Sequence, residues 1–342
     1  MTLVERKLKI LQAIINDFIS TAQPVGSRTI AKKYDLGISS ATIRNEMSDL
    51  EDLGYLLSPH TSAGRIPSDL AYRLYVDSLM RKYELENRQK KIIKELLLNQ
   101  IVEIDDVIKN TSKILSQITN LTSMSLSPQF KSSKLKNIKL VQVDSDKVLL
   151  ILVSSTGIIK NSILRINGIS QNILNTVSNI LQDKLSGKTI SDVDDEITEK
   201  IKSELIDYSA AIDEIIPKLH DCLMDMDESE IYLDGITNIF NLPEYTDINK
   251  AKKFLSAIEK KDLMYELLRN DTCDDIGIRI GNENEIDEMK DCSIITATYR
   301  LNGKTIGKVG VIGPTRMDYS RVVAVLKYLT NILSKNIDDI LP

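Results

Sequence analysis

The stretch Ser39-Ser40-Ala41-Thr42-Ile43-Arg44-Asn45-Glu46-Met47-Ser48-Asp49-Leu50 decides how the first part of this 342-residue chain is read. Ser39 is a helix-capping residue type. Ile43, Met47 and Leu50 then recur at helical spacing, so the segment reads as a helix with one apolar stripe. On its other side lie Ala41, Asn45 and Ser48, with Arg44 beside them. Small and polar residues with one arginine suit a helix that approaches base edges, because arginine pairs with guanine and asparagine with adenine. Glu46, Asp49, Glu51 and Asp52 follow and would repel phosphates, so only the first two turns are expected to enter a groove. Plain core packing is the competing reading of this helix taken alone.

Working upstream, Thr2-x-x-Glu5 is a capping-box pattern, and Leu8, Leu11, Ile15, Phe18 and Ile19 continue one amphipathic helix to about Thr21. Pro24 and Gly26 break it. Ser27 is expected to cap a short second helix reaching Tyr34, with Ile30, Ala31 and Tyr34 facing inward, and Asp35-Leu36-Gly37-Ile38 is a tight turn. Three short helices with a glycine turn are the pattern of a helix-turn-helix. Downstream, Gly54 to Leu57 is strand-like, and Ser58-Pro59-His60-Thr61-Ser62-Ala63-Gly64-Arg65-Ile66-Pro67 reads as a β-wing with a small, polar, cationic tip. An ordinary surface loop is its bland alternative. Ser68-Asp69 then starts a helix carrying Leu70, Tyr72, Leu74, Tyr75, Leu79 and Met80. Residues 1–82 are therefore expected to form a winged helix-turn-helix. Its candidate DNA contacts are Ser27, Arg28, Ser39, Ser40, Thr42, Arg44, Asn45, His60, Thr61 and Arg65.

Charge qualifies that expectation. The chain carries a formal −5, which argues against a polybasic nucleic-acid binder, yet the average hides unlike parts. Residues 1–82 hold 11 Lys/Arg against 9 Asp/Glu, whereas residues 191–230 hold 14 Asp/Glu against Lys200, Lys202 and Lys218. A solvated helix face explains such an acidic run. A module that stays off DNA or keeps the protein soluble is the functional alternative. No apolar run is long enough to span a membrane, and the three cysteines (Cys222, Cys273, Cys292) are too scattered for a disulfide framework, so a cytoplasmic protein is expected.

Beyond residue 82, 83–125 is helical in pattern and Ser125 to Ser133, with Pro128, reads as loop. Ile138 to Val143, Val148 to Val153 and Ile158 to Leu164 are β-rich runs. Ile295 to Leu301 and Thr305 to Ile312 flank Asn302-Gly303, the preferred two-residue hairpin turn, and a last helix starts near Tyr319. Strands before 165 and after 290, separated by an acidic helical block, suggest one sheet interrupted by an insertion. The expected fold class is α+β multidomain, with divisions at 1–82, 83–166, 167–260 and 261–342.

Several stretches are familiar. Pro24-Val25-Gly26-Ser27, Ser40 to Met47, Leu50-Glu51-Asp52-Leu53-Gly54-Tyr55-Leu56 and His60 to Pro67 resemble the HrcA family of heat-inducible transcription repressors. Gly310-Val311-Ile312-Gly313-Pro314-Thr315-Arg316-Met317-Asp318-Tyr319-Ser320 is similar to that family's second signature, and Asp234-Gly235, Asn238 and Asn241-Leu242-Pro243-Glu244 to a third. Where relatives commonly carry Gly-Gly, this chain has Asp234-Gly235. The resemblance implies a GAF-like α/β domain (83–166 with 261–342) split by an inserted, mainly helical dimerising domain (167–260). It further implies a homodimer on the inverted-repeat CIRCE operator of chaperonin and DnaK operons, inactivated by heat and recovered with the GroEL chaperonin.

Other constellations carry little chemistry. His220-x-Cys222 on a helix points its two side chains apart, and Asp192-x-Asp194-Asp195-Glu196 lacks the glycine and distal glutamate of a calcium loop, so no metal is expected. Gly307, Gly310 and Gly313 precede no phosphate-binding helix start, and two histidines cannot furnish a catalytic triad with conviction. No cofactor and no enzymatic activity are expected. The alternative function is a ligand-responsive transcriptional regulator sensing a small molecule through the GAF-like domain.

Overall fold

In the computed structural model the described residues are 3–59, 64–98, 104–127, 134–155, 159–189, 192–193, 195–206, 209–227, 230–269, 275–301 and 303–340. The chain opens with helices α1 (Leu3–Thr21), α2 (Ser27–Lys33) and α3 (Ser40–Asp52), then an antiparallel ribbon of β1 (Leu56–Leu57) and β2 (Ile66–Pro67). Ile10, Ile14, Ile30, Ile43, Met47, Leu50 and Leu56 meet in one core; Ile43, Met47 and Leu50 are the stripe expected on α3, whereas Ile10 and Ile14 lie outside the stripe expected on α1. Ser27 does not cap α2; Gly26 holds the N-cap position and Ser27 is already the first helical residue. The ribbon is anchored to the α1–α2 turn, where Val25 and Arg65 exchange backbone hydrogen bonds at 2.9 Å in each direction. A side chain at Gly64 would put its Cβ 2.4 Å from the Val25 carbonyl oxygen, so only glycine permits this approach. Helix α4 (Asp69–Leu74), capped by Ser68, runs into one π turn, Tyr75–Leu79.

After residues 80–86, which form neither helix nor strand, come α5 (Asn87–Leu98) and α6 (Ile104–Thr119), then β3 (Thr122–Leu126). The segment that follows is β4 (Leu135–Gln142), β5 (Lys147–Ser154), β6 (Ile159–Arg165), α7 (Gln171–Leu185), α8 (Asp195–Glu204) and α9 (Ser209–Asp227). It closes on itself: the three strands form their own antiparallel sheet, and Leu140, Leu150, Leu152, Leu164, Leu174, Leu181, Ile201 and Leu219 build a separate core. The acidic run falls on α8 and α9, whose apolar residues face that core while pairs such as Lys200–Glu196 and Lys218–Asp221 lie on the surface. The solvated-face reading of this run is the one the burial pattern favours.

β7 (Ile231–Asp234), α10 (Ile248–Ile258), α11 (Lys261–Arg269), β8 (Ile276–Ile280), β9 (Cys292–Leu301), β10 (Lys304–Pro314) and α12 (Tyr319–Ile340) complete the chain. Its larger sheet runs β7-β3-β10-β9-β8, every ladder antiparallel. α6 and α12 cover one face through Ile108, Leu115, Leu326 and Leu329, and α10 and α11 the other through Phe254, Ala257 and Leu267.

This arrangement corrects the expected division. The β runs at 138–164 are not the first half of the interrupted sheet, and residues 231–258 are not part of the insertion. The interruption lies between Leu126 and Ile231, which are register partners. Ser127 N–H donates to the Glu230 carbonyl at 2.8 Å, and Glu230 N–H to Ser127 Oγ at 2.7 Å, so the segment leaves and re-enters the sheet at one point. The true first strand escaped notice because Thr122-Ser123-Met124-Ser125-Leu126 reads as polar. All five residues are buried, and the Ser123 and Ser125 hydroxyls donate to the Ser112 and Ile108 carbonyls of α6 at 2.6 and 3.0 Å.

Replacing residues 128–229 with Asn-Gly should therefore leave the five-stranded body folded, with a cooperative thermal transition by circular dichroism. Deleting 167–260 removes β7 and α10 and should abolish that transition; a cooperative transition there would contradict the topology.

Candidate nucleic-acid interface

The first turn of α3 is built by Ser39, whose side chain accepts the Thr42 N–H at 3.1 Å and lies 3.0 Å from Thr42 Oγ1. Ser40 and Thr42 are half-buried beside it. Ala41, Arg44, Asn45 and Ser48, spaced to share one helix face, are all exposed. Arg28, at the start of α2, is exposed too, and Ser27 is half-buried. Arg28 and Arg44 form no ion pair with a described residue. The helix thus offers a shallow face of small and hydrogen-bonding groups with one arginine, the chemistry needed for contact with base edges.

Sequence reasoning missed how the acidic half of α3 is neutralised. Glu46 is not on the solvent side; it is buried, with Arg6 of α1 donating to Oε1 (Nε at 2.7 Å) and Lys7 Nζ 3.8 Å from Oε2. Lys7 also donates to Asp49 at 2.7 Å, and that hydrogen bond raises the pKa of the Lys7 ammonium above its usual value. Glu51 is held by Arg65 at 2.7–2.8 Å. Arg65 is not at the ribbon's tip: it sits immediately before β2, bridged to Val25, with its guanidinium on Glu51 and on Ser58 Oγ at 3.2 Å. His60 and Thr61, the other two candidates on the ribbon, lie outside the described residues. The only advance signal for these ion pairs was the Arg6-Lys7 dipeptide on the polar side of α1.

Cys222 and two of the glycines are packing features. Cys222 is buried in the core of the inserted segment, and no group of metal-binding side chains occurs among the described residues. A Cβ on Gly307 would lie 2.1 Å from the Tyr299 hydroxyl oxygen, so that glycine makes room for a buried tyrosine. Gly235, at φ +67°, sits where a Cβ would meet Ser116, Asn238 and the Leu121 carbonyl within 2.8 Å, which explains why a glycine occupies the second position of the Asp234-Gly235 pair. No helix among the described residues is long and apolar enough to cross a membrane.

Ser39→Ala should cost about 1 kcal/mol through the lost cap. Arg6→Met should cost more, approaching about 3 kcal/mol, because it strands a buried carboxylate with only the more distant Lys7. Urea denaturation gives the order, and a smaller loss for Arg6→Met would show that Lys7 alone compensates Glu46.

Comparison with known proteins gives a consistent result. A family model described as the HrcA protein C terminal domain matches residues 105–323. The heat-inducible transcription repressor HrcA of Clostridium tetani is 48% identical, covering 99% of this chain and 97% of that protein. Its counterpart in Alkaliphilus metalliredigens is 46% identical, over 97% and 98%. A crystal structure described only as that of a hypothetical protein shares the fold, with a TM-score of 0.69 and 22% identity over 98% of both chains. On this likeness along nearly its whole length, the chain belongs to the HrcA family of heat-inducible transcription repressors.

Proposed function

We propose that the protein represses heat-shock genes by binding, as a homodimer, an inverted-repeat CIRCE operator upstream of chaperonin and DnaK operons, and that heat releases it. Residues 1–82 act as a winged helix-turn-helix, with α3 as reading helix and the β1–β2 ribbon as wing. The observation that carries this reading is the exposed Ala41-Arg44-Asn45-Ser48 face, presented by a helix whose acidic residues Glu46, Asp49 and Glu51 are paired within the protein. Neutralising those carboxylates internally lets a reading unit of small net charge approach phosphates.

The five-stranded body serves as the GAF-like domain, and the segment between Ser127 and Glu230 as the dimerising module. Support for the second role comes from the outer face of its small sheet. Val141 and Ile163, 41% and 61% exposed, flank Leu149 in register, and Val153 faces Ile159, which is 48% exposed. Such an apolar patch on a soluble domain marks an interaction surface. The GroEL chaperonin restores the active form in the cytoplasm, and neither cofactor nor catalysis enters the scheme.

Fluorescence anisotropy on an inverted-repeat duplex and a scrambled one, across temperature and with or without chaperonin, tests the whole reading; equal affinity for both duplexes would refute it. Arg44→Ala should cost about 1–3 kcal/mol on the operator and little on the scrambled duplex. Glu51→Gln releases Arg65, so it should tighten binding to any duplex and steepen the log–log salt dependence by about one unit; an unchanged slope removes Arg65 from the interface. Leu149→Lys with Ile163→Lys should sediment as a monomer that retains its fold, and a persisting dimer places the contact elsewhere.

A further inference from the structure

Helix α1 ends with carbonyls that have no partner within the helix. Ala22, at φ +57°, turns the chain away and takes only the Phe18 carbonyl, at 2.9 Å. The Ile19 carbonyl is taken from far along the chain: Arg316 Nη1 donates to it at 2.5 Å. The same guanidinium donates from Nε to Glu244 Oε1 at 2.5 Å and from Nη2 to Glu244 Oε2 at 3.3 Å. One side chain, 12% exposed, thereby joins α1, the short turn that holds Glu244 and the bend between β10 and α12. Arginine suits the task. Its planar fork binds a carboxylate with two nitrogens and keeps a third free, and its permanent charge faces the negative end of α1.

The opposite end of α1 grips the reading helix, through Arg6 on Glu46 and Lys7 on Glu46 and Asp49. With 19 residues, α1 is a strut about 28 Å long. It is fixed to the body at its last turn and to α3 near its first. A second link joins the two parts on the side of α4, where Asp69 accepts from Asn282 (backbone N–H at 3.0 Å) and Arg73 pairs with Glu283.

We propose that Arg316 is a positioning residue for operator recognition. By clasping the Ile19 carbonyl to Glu244 it sets the angle of α1, and through α1 the direction in which α3 meets DNA. An inverted repeat read by a dimer requires two reading helices held at a fixed separation and tilt. The stretch at residues 80–86 contains neither helix nor strand, although Leu85 and Tyr83 pack into the core; a strut clamped at both ends sets the angle directly. Without Arg316 the shared apolar core and the α4 link still join the unit to the body, but the last turn of α1 is no longer clamped and its angle loosens.

This inference rests on the DNA-binding reading, so its test has one arm with operator and one without. Full-length Arg316→Ala and Arg316→Lys are compared with wild type on inverted repeats of graded spacer length and on a single half-site. Wild type should favour one spacer. Arg316→Ala should lose about tenfold at that spacer, flatten the spacer profile and bind the half-site unchanged. Arg316→Lys, which keeps the charge but not the fork, should fall between. An unaltered profile, or equal losses on repeat and half-site, overturns the proposal. In the second arm, spin labels introduced at the exposed positions Lys32 and Lys252 report the distance between reading unit and body in the free protein. The distribution should be narrow in wild type and broad in Arg316→Ala, and identical distributions overturn the clasp. Should wild type fail to distinguish any repeat from scrambled DNA, the DNA-binding reading falls, and the label distances alone then decide the clasp.

Discussion

Strand β3 lies between β7 and β10, and both ladders must close before the chain has a single body. The β3–β10 ladder joins Thr122–Leu126 to residues near the other end of the sequence, and the β3–β7 ladder spans the whole inserted segment. The helices on each face depend on this pairing. α6 packs through hydrogen bonds to Ser123 and Ser125, and α10 and α11 pack over Met124 and Leu126. The core on the α6 side runs without interruption into the three N-terminal helices, so they share their apolar foundation with the sheet.

Electrostatics in the N-terminal helices follow a second constraint. On the proposed reading α3 approaches DNA, where a row of carboxylates would repel phosphates, and α3 carries Glu46, Asp49, Glu51 and Asp52. The fold turns Glu46 inward against Arg6 and Lys7 and ties Glu51 to Arg65. Exposed pairs are worth little individually. Their value here is that three acids are neutralised by partners on two neighbouring elements, which also fixes how α1 and the ribbon lie against α3. The net charge of −5 is mostly a property of α8 and α9, in a segment with its own core.

How far the sequence disclosed this depended on the kind of signal. Local periodicity made Ile43, Met47 and Leu50 legible as one helix face, and the two β runs at 295–301 and 305–312 pair as β9 and β10. The cap at Ser39 followed from residue type. Strand β3 was illegible because Ser and Thr fill it, and their burial is tolerable only through carbonyl acceptors on α6 that no local window contains. The same blindness displaced the insertion: the strands at 135–165 alternate clearly, and nothing within them reveals that their partner helices are α7 to α9 rather than α6 and α12. Candidate contact residues on α3 were legible from residue types and spacing. The internal partner of Arg65 was not, because the Glu51–Arg65 pair forms only once the ribbon folds back on the turn at Val25.

The close entry and exit of the inserted segment also bears on synthesis. As the chain emerges, β3 is made well before its partner on one side, Lys304–Pro314, which follows only after the inserted segment and most of the body. During that interval the inserted segment, which needs only its own residues for a core, can fold first and bring Ser127 and Glu230 together. β3 must meanwhile wait with one edge unpaired, the situation in which apolar strands associate with the wrong neighbour. Thr-Ser-Met-Ser-Leu is poorly suited to such sticking. The hydroxyls that hydrogen-bond to α6 in the finished protein make the strand polar enough to disfavour such association.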